Sequence, residues 1–380
     1  MKKHKGKHTL CIHEGQIEDT QFGGSVSPIF MATSYPFLDV EEKRYPRYLN
    51  TPNQEVIANK LAALENTEKA LPFSSGMAAI TSSLFAFLQS GDHVVFQNEI
   101  YGGSHHLVME EFSRFGIEFS FTKGLLLEDF ERELRPNTKV IYIETPSNPL
   151  LSITDIKGIA KLAQKSGIIS MIDNTFASPL NQTPLDFGID LSIHSATKYL
   201  SGHSDISAGI VAGRKELIDK VLFKARNFGG NLSEFMCFLL ERSIKTLGVR
   251  IEKHNSNAQF IAESLESNEA IKRVYYPGLK SHKDHELAKS QMHGFGGMLS
   301  FELHENMDAG AYQKRLQMIK PSMSLAGVES TIIQPSLTSH ALLSPEERKT
   351  QGISDNLLRL SVGIENKEDI LNDLIQAIKL

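Results

Sequence analysis

The sequence predicts an α/β fold, with a large domain built on a mainly parallel sheet and a smaller α+β domain at the C-terminus. Three observations predict it. Short apolar or β-branched runs alternate with helical stretches, the pattern of βαβ units. The runs are continuously apolar, as in strands covered on both faces. After about residue 240 the alternation gives way to a long helical region, separated strands and a last helix.

The elements follow in order. Residues 1–50 are punctuated by Gly and Pro and lack periodicity, so they read as an extended arm. Its basic run, Lys2, Lys3, Lys5 and Lys7, reads as a frayed, solvated tail. A helix starts at Thr51 as N-cap, with Pro52 in the first turn and Gln54 completing a Thr-x-x-Gln capping box. Strands are predicted at 93–97, 117–121, 139–144, 168–172 and 190–193, with helices at 103–115 and 154–166 among them. Residues 239–267 read as one long helical region, followed by "VYYPGL", "GGMLSFEL" and a helix near 367–379. The division is an arm over 1–50, a large domain over 51–243 and a small domain over 244–380.

Composition narrows the function. With 41% hydrophobic and 22% charged residues the chain is an ordinary globular one, and its net charge of −5 gives no basis for a nucleic-acid partner. No run approaches the roughly 20 apolar residues of a membrane span, and no apolar stretch follows the first lysines as a secretory signal would. The two cysteines, Cys11 and Cys237, make no disulfide framework, so a cytoplasmic location is expected. The histidines lack zinc-site spacing, and no metal is expected.

Three stretches carry chemistry. In "SSGMAAI" a strand runs through Ser75, Gly76 and Met77 into a helix, whose free N–H groups can cradle a phosphate, although a plain strand–helix turn looks the same. In "SMIDNTFASP" an apolar strand delivers Asp173 at its C-terminal end, where open α/β sheets bind ligands; a turn or cap aspartate is the alternative. In "SIHSATKYLSGHSD" Lys198 stands just past a strand, flanked by Ser195 and Thr197. It is either a surface lysine or an amine for a Schiff base. Together, and in this order, they supply what pyridoxal phosphate needs: a phosphate cup, an acid for the pyridine nitrogen and a lysine for the aldehyde.

These stretches, with "IETPSNP", "IYGGSHH", "SLAGVES" and "LLRLSVGIE", resemble the Cys/Met-metabolism family of pyridoxal-phosphate enzymes, the cystathionine γ-synthase and γ-lyase group. The resemblance runs over nearly the whole chain and implies the fold-type-I, aminotransferase-like architecture. It implies that Lys198 carries the cofactor covalently and later moves protons. Asp173 would pair with the pyridinium. Ser75, Gly76, Met77, Ser195 and Thr197 would hold the phosphate. Tyr101 would stack on the ring and act as a second catalytic residue, its phenol assisting transimination, and Asn148 would sit near the cofactor's oxygen. Ser324 and Leu325 would line the substrate side, and Arg359 would clamp the α-carboxylate. Tyr45 and Arg47 in "YPRYLNTPNQ" match an element that reaches the neighbouring subunit's phosphate, implying a shared active site in a homotetramer, a dimer of dimers.

The exact reaction blurs. The resemblance favours a cystathionine γ-lyase or γ-synthase acting on small sulfur amino acids, followed by methionine γ-lyase, O-acylhomoserine sulfhydrylase and cystathionine β-lyase. Gly103 stands where methionine γ-lyases typically have cysteine. Glu329 stands where cystathionine enzymes often have glutamate, and can bind a distal ammonium or simply be solvated. His106 replaces an arginine near the distal substrate end, and Asn50-Thr51-Pro52-Asn53 departs from the usual Asn-Pro-Thr-Arg. An aminotransferase or a cofactor-binding protein without turnover are the rivals from other classes.

Overall fold

A computed structural model describes residues 5–341 and 344–378. Lys2 and Lys3 of the basic run, and the end of the last predicted helix at Lys379, lie outside these residues. The larger sheet has seven strands: β1 (Lys69–Phe73), β2 (His93–Phe96), β3 (Glu118–Phe121), β4 (Thr138–Glu144), β5 (Ile169–Asp173), β6 (Leu191–Ser195) and β7 (Gly209–Gly213). Their order is β1-β7-β6-β5-β4-β2-β3, and β7 alone runs against its neighbours. The predicted strands are all present. Apolar side chains leave both sheet faces: Val140, Tyr142, Met171 and Ile193 pack on one side, Ile141, Ile143 and Ile172 on the other. That double cover is why β4 reads as an unbroken apolar run. The strand predicted to end at 193 continues to Ser195, because β7 supplies a partner and pairs Ser195 with Gly209.

Within the predicted arm a short helix forms, and residues 14–45 carry no helix or strand. Residues Lys7–His13 form a helix, α1. Lys7 is no solvated tail: its Nζ is held by the Pro179 carbonyl and the Thr183 hydroxyl. The second helix, α2 (Pro52–Leu64), begins where the Thr51–Gln54 signal places it. Only half of that box forms. The Gln54 side chain accepts the Thr51 N–H at 3.0 Å, while the Thr51 hydroxyl is buried without a partner. Fully buried Lys60 of α2 donates to the Cys11 carbonyl at 3.0 Å and ties α1 to the domain.

Two more helices shape the cavity described below: α3 (Gly76–Phe87) after β1, and α4 (Gly102–Glu111) after β2. The helix predicted to reach 115 stops at Glu111 and tightens into a 3₁₀ turn over Phe112–Phe115, closed by Gly116 at φ 66°. The single helical region predicted at 239–267 is two helices, Glu234–Ile244 and Leu247–Glu266, broken at Lys245–Thr246. Both bury apolar faces, and nothing in the periodicity marks the break.

The second sheet has five strands, β8 (Ile271–Tyr275), β9 (Met298–Leu303), β10 (Lys320–Pro321), β11 (Thr331–Ile333) and β12 (Leu357–Ser361), ordered β10-β11-β12-β9-β8. Helix Leu247–Glu266 and the C-terminal helix Lys367–Ile378 pack against it. Every residue of β12 is buried, Arg359 included. A buried guanidinium in the middle of a central strand is expensive unless it has anionic or polar partners.

Candidate functional site

The C-terminal ends of β4, β5 and β6 open into a cavity of about 520 Å³, roofed by α4 and by residues 323–325 and 338–339. Such an opening at strand ends is where doubly wound sheets hold ligands. Ser75, Gly76, Met77, Tyr101, His106, Asn148, Asp173, Ser195, Thr197, Lys198, Ser324, Leu325 and Arg359 all line it. The structure therefore brings together thirteen residues that are scattered through the sequence.

One end is a cup. Ser75 caps α3, its hydroxyl accepting the Ala78 N–H at 3.0 Å. A Cβ on Gly76 would lie 2.9 Å from the Ser195 Cβ, so only glycine lets the helix start this close to β6. Thr197 locks the other wall: its hydroxyl accepts the Ala208 N–H at 3.0 Å. Free amides at a twelve-residue helix and neighbouring hydroxyls make a site for a phosphate.

In the centre stand Asp173 and Lys198. Asp173 is the last residue of β5; its Oδ1 accepts the Thr175 N–H at 3.0 Å. Burial pushes its carboxyl up, opposed by the hydrogen bonds from Thr175 and by His194 and Lys198. The Lys198 amine, bonded to the Ser324 hydroxyl at 3.1 Å, is pushed down to about 8 by burial and by Arg359, with Asp173 opposing. A lysine so shifted is a nucleophile and base near neutral pH.

At the far end stands Arg359, with Asn148 beside it. Arg359 Nη1 donates to Asn148 Oδ1 at 2.8 Å, while its Nε is buried without a partner. Burial pulls this guanidinium down to about 10, opposed by Glu144, Tyr101 and Tyr199. An oriented fork with a free N–H edge fits a planar anion. Tyr101 caps α4 and is 45% exposed toward the opening.

Three predicted residues lie elsewhere. Glu329 lines an adjoining cavity of about 420 Å³ that shares Thr197, Ser324 and Leu325 with the first, and its carboxylate is held by the Ser204 hydroxyl. Tyr45 and Arg47 sit on an exposed turn; Arg47 donates to the Arg226 carbonyl at 2.6 Å and lies over the Tyr45 and Tyr48 rings. Neither lines this chain's own cavity.

Residues not singled out from sequence also contribute. Thr175 donates to Asp173 and accepts the Ser195 N–H at 2.8 Å, linking β5 to β6. Glu144 lines the cavity beside Asp173. Both belong to motif stretches already quoted, "IDNTFASP" and "IETPSNP", and strand-end position is the signal that finds them. Thr338 and Ser339 come from a segment without any such signal.

The donor set fits pyridoxal phosphate: a cup that a Cβ at 76 would fill, a buried carboxyl for a ring cation, and a neutral-prone amine between them. The family described as Cys/Met metabolism PLP-dependent enzyme matches residues 8–379. Cystathionine gamma-lyase of Bacillus subtilis (strain 168) is 42% identical over 376 residues, covering 98% of this chain and 99% of that protein. Cystathionine beta-lyase MetC of the same organism is 43% identical over 383 residues, with coverage of 100% and 98%. The crystal structure of cystathionine gamma-lyase from Lactobacillus plantarum complexed with L-serine superposes with a TM-score of 0.95 at 39% identity, covering 98% of both chains.

Proposed function

The chain belongs to the Cys/Met-metabolism family of pyridoxal-phosphate-dependent enzymes, and from that premise we propose that it is a trans-sulfuration enzyme acting on the C–S bond of cystathionine, by γ-elimination or γ-replacement. The observation that carries the reading is the Lys198 amine, depressed to about 8, in one cavity with the Asp173 carboxyl and the Arg359 fork. Cystathionine β-lyase, methionine γ-lyase and O-acylhomoserine sulfhydrylase activities are the alternatives. Gly103 counts against the methionine γ-lyase alternative: a Cβ there would lie 2.5 Å from Tyr101 Cε1, so a larger residue needs a different Tyr101.

Bound in this cavity, the cofactor supplies an aldehyde for the amino group and a ring that stores the electron pair released at Cα. The chain does the rest. Ser75, Gly76, Met77, Ser195 and Thr197 hold the phosphate, and Asp173 holds the proton on the ring nitrogen. Arg359, oriented by Asn148, grips the α-carboxylate with its free Nε edge. Lys198 Nζ takes the α-proton and can pass protons along the substrate, because near pH 8 it exists in both forms. Tyr101 covers the opening from α4, and Leu325 and Ser324 border the substrate. His106 and, through the adjoining cavity, Glu329 face the distal end.

We also read the enzyme as a homotetramer whose sites are shared. Tyr45 and Arg47 are exposed and away from their own cavity, and the arm presents Phe22, Met31, Phe37 and Leu38 each at least 66% exposed. Apolar surface on that scale is covered by association. Cys11 and Cys237 are free and buried, which suits the cytoplasm; among the described residues no helix is long and apolar enough to cross a membrane.

A substrate panel tests the reaction. Cystathionine should yield cysteine, ammonia and 2-oxobutanoate, or an activated homoserine ester with cysteine should yield cystathionine. Pyruvate and homocysteine from cystathionine, or methanethiol from methionine as the preferred reaction, would overturn this choice.

A further inference from the structure

Glu144 is the last residue of β4, and the β4–β5 register sets it directly opposite Asp173. Tyr142 and Met171, two residues earlier on each strand, pack on the same sheet face, so both carboxyls rise from that face into the cavity. Glu144 is buried, at 5% exposure, yet its charge is not spent on an ion pair: no cation lies within 4 Å of it among the described residues. Instead its Oε2 accepts the Tyr101 backbone N–H at 2.6 Å.

This amide belongs to a loop beside the proposed ring site, where Tyr101 opens α4. We propose that Glu144 is a positioning residue, a strand-end tether that holds the Tyr101 loop at a set distance from Asp173. A carboxyl oxygen suits the task because it can accept the Tyr101 N–H whether or not the group is ionised, and a buried N–H left without an acceptor is costly. The site is held at a cost, since burial and the neighbouring Asp173 push the Glu144 carboxyl well above the usual range. A group retained against that penalty has a structural use that a neutral apolar side chain would not serve.

The consequence for catalysis rests on the cofactor reading above; the tether itself does not. The test is hydrogen–deuterium exchange, resolved at the Tyr101 amide, on the cofactor-loaded protein and on Glu144→Ala, Glu144→Asp and Glu144→Gln. In Ala, and in Asp with its shorter arm, the Tyr101 amide should exchange about 10- to 100-fold faster. In Gln, whose amide oxygen still accepts this N–H, exchange should stay within about threefold of the parent. Turnover should follow the same order, with kcat reduced about tenfold in Ala and most of it recovered in Gln. Unchanged Tyr101 exchange in Ala and Asp, or exchange in Gln as fast as in Ala, would overturn the tether. If Ala does not fold, the Asp–Gln contrast decides. Failure of the parent to retain cofactor would instead strike the site assignment, and the exchange comparison would still judge the tether.

Discussion

Strip the cofactor, and Lys198 should form its bond with pyridoxal phosphate with a pH profile that no ordinary lysine shows. Its amine is pushed from 10.5 to about 8, first by burial, then by Arg359, with Asp173 opposing. Only the unprotonated amine attacks an aldehyde. At pH 7 a group with pKa near 8 is about 9% free base, against roughly 0.03% for an unshifted lysine, an advantage of about 300-fold. The association rate, followed by the cofactor's absorbance from pH 6 to 10, should rise about tenfold per pH unit and level off above about 8.5. Arg359→Gln removes a neighbouring cation, so the inflection should move up while staying below 10.5, because burial remains the larger cause. Asp173→Asn removes the opposing carboxyl and should move it down. A rate still climbing tenfold per pH unit beyond pH 9.5 would refute the depressed amine and the catalytic role built on it.

Other outcomes follow from the same geometry. Arg359→Lys keeps charge but loses the fork to Asn148 and the free Nε edge, so KM should rise about tenfold or more with kcat less affected, read in steady-state kinetics. Gly103→Cys places a Cβ 2.5 Å from the present Tyr101 ring position and should lower cystathionine turnover relative to methionine turnover; an unaltered ratio would count against Gly103 as a discriminator. Mixing Arg47→Ala with Lys198→Ala chains should restore activity, since one hybrid site regains both residues. No recovery after proven subunit exchange would argue for self-contained sites.

Much of the site is readable in the chain because several of its residues sit where an element ends. Asp173 closes an apolar strand, Ser75 precedes an Ala-rich helix, and Lys198 follows β6 by three residues. The α/β frame is readable for the same reason: strands covered on both faces leave unbroken apolar runs. What escapes has no local signature. Lys7 looks like a tail residue, and its partners at Pro179 and Thr183 lie far along the chain. The break at Lys245–Thr246 falls between two helices that bury similar faces, so periodicity runs across it. Thr338 and Ser339 reach the cavity through the path of a loop, which tertiary packing alone decides.

The cavity draws its walls from two unequal sources. Lys198, Asp173, Asn148 and Arg359 hang on strands or strand ends whose neighbours are the two cores, whereas His106, Met323 and Ser324 come from exposed positions on α4 and a loop. Change at a buried charged position such as Arg359 costs more stability than change at exposed positions, which usually stays within about 0.5 kcal/mol. Substitution at His106, Met323 or Ser324 can therefore alter the lining of the cavity at little cost in stability.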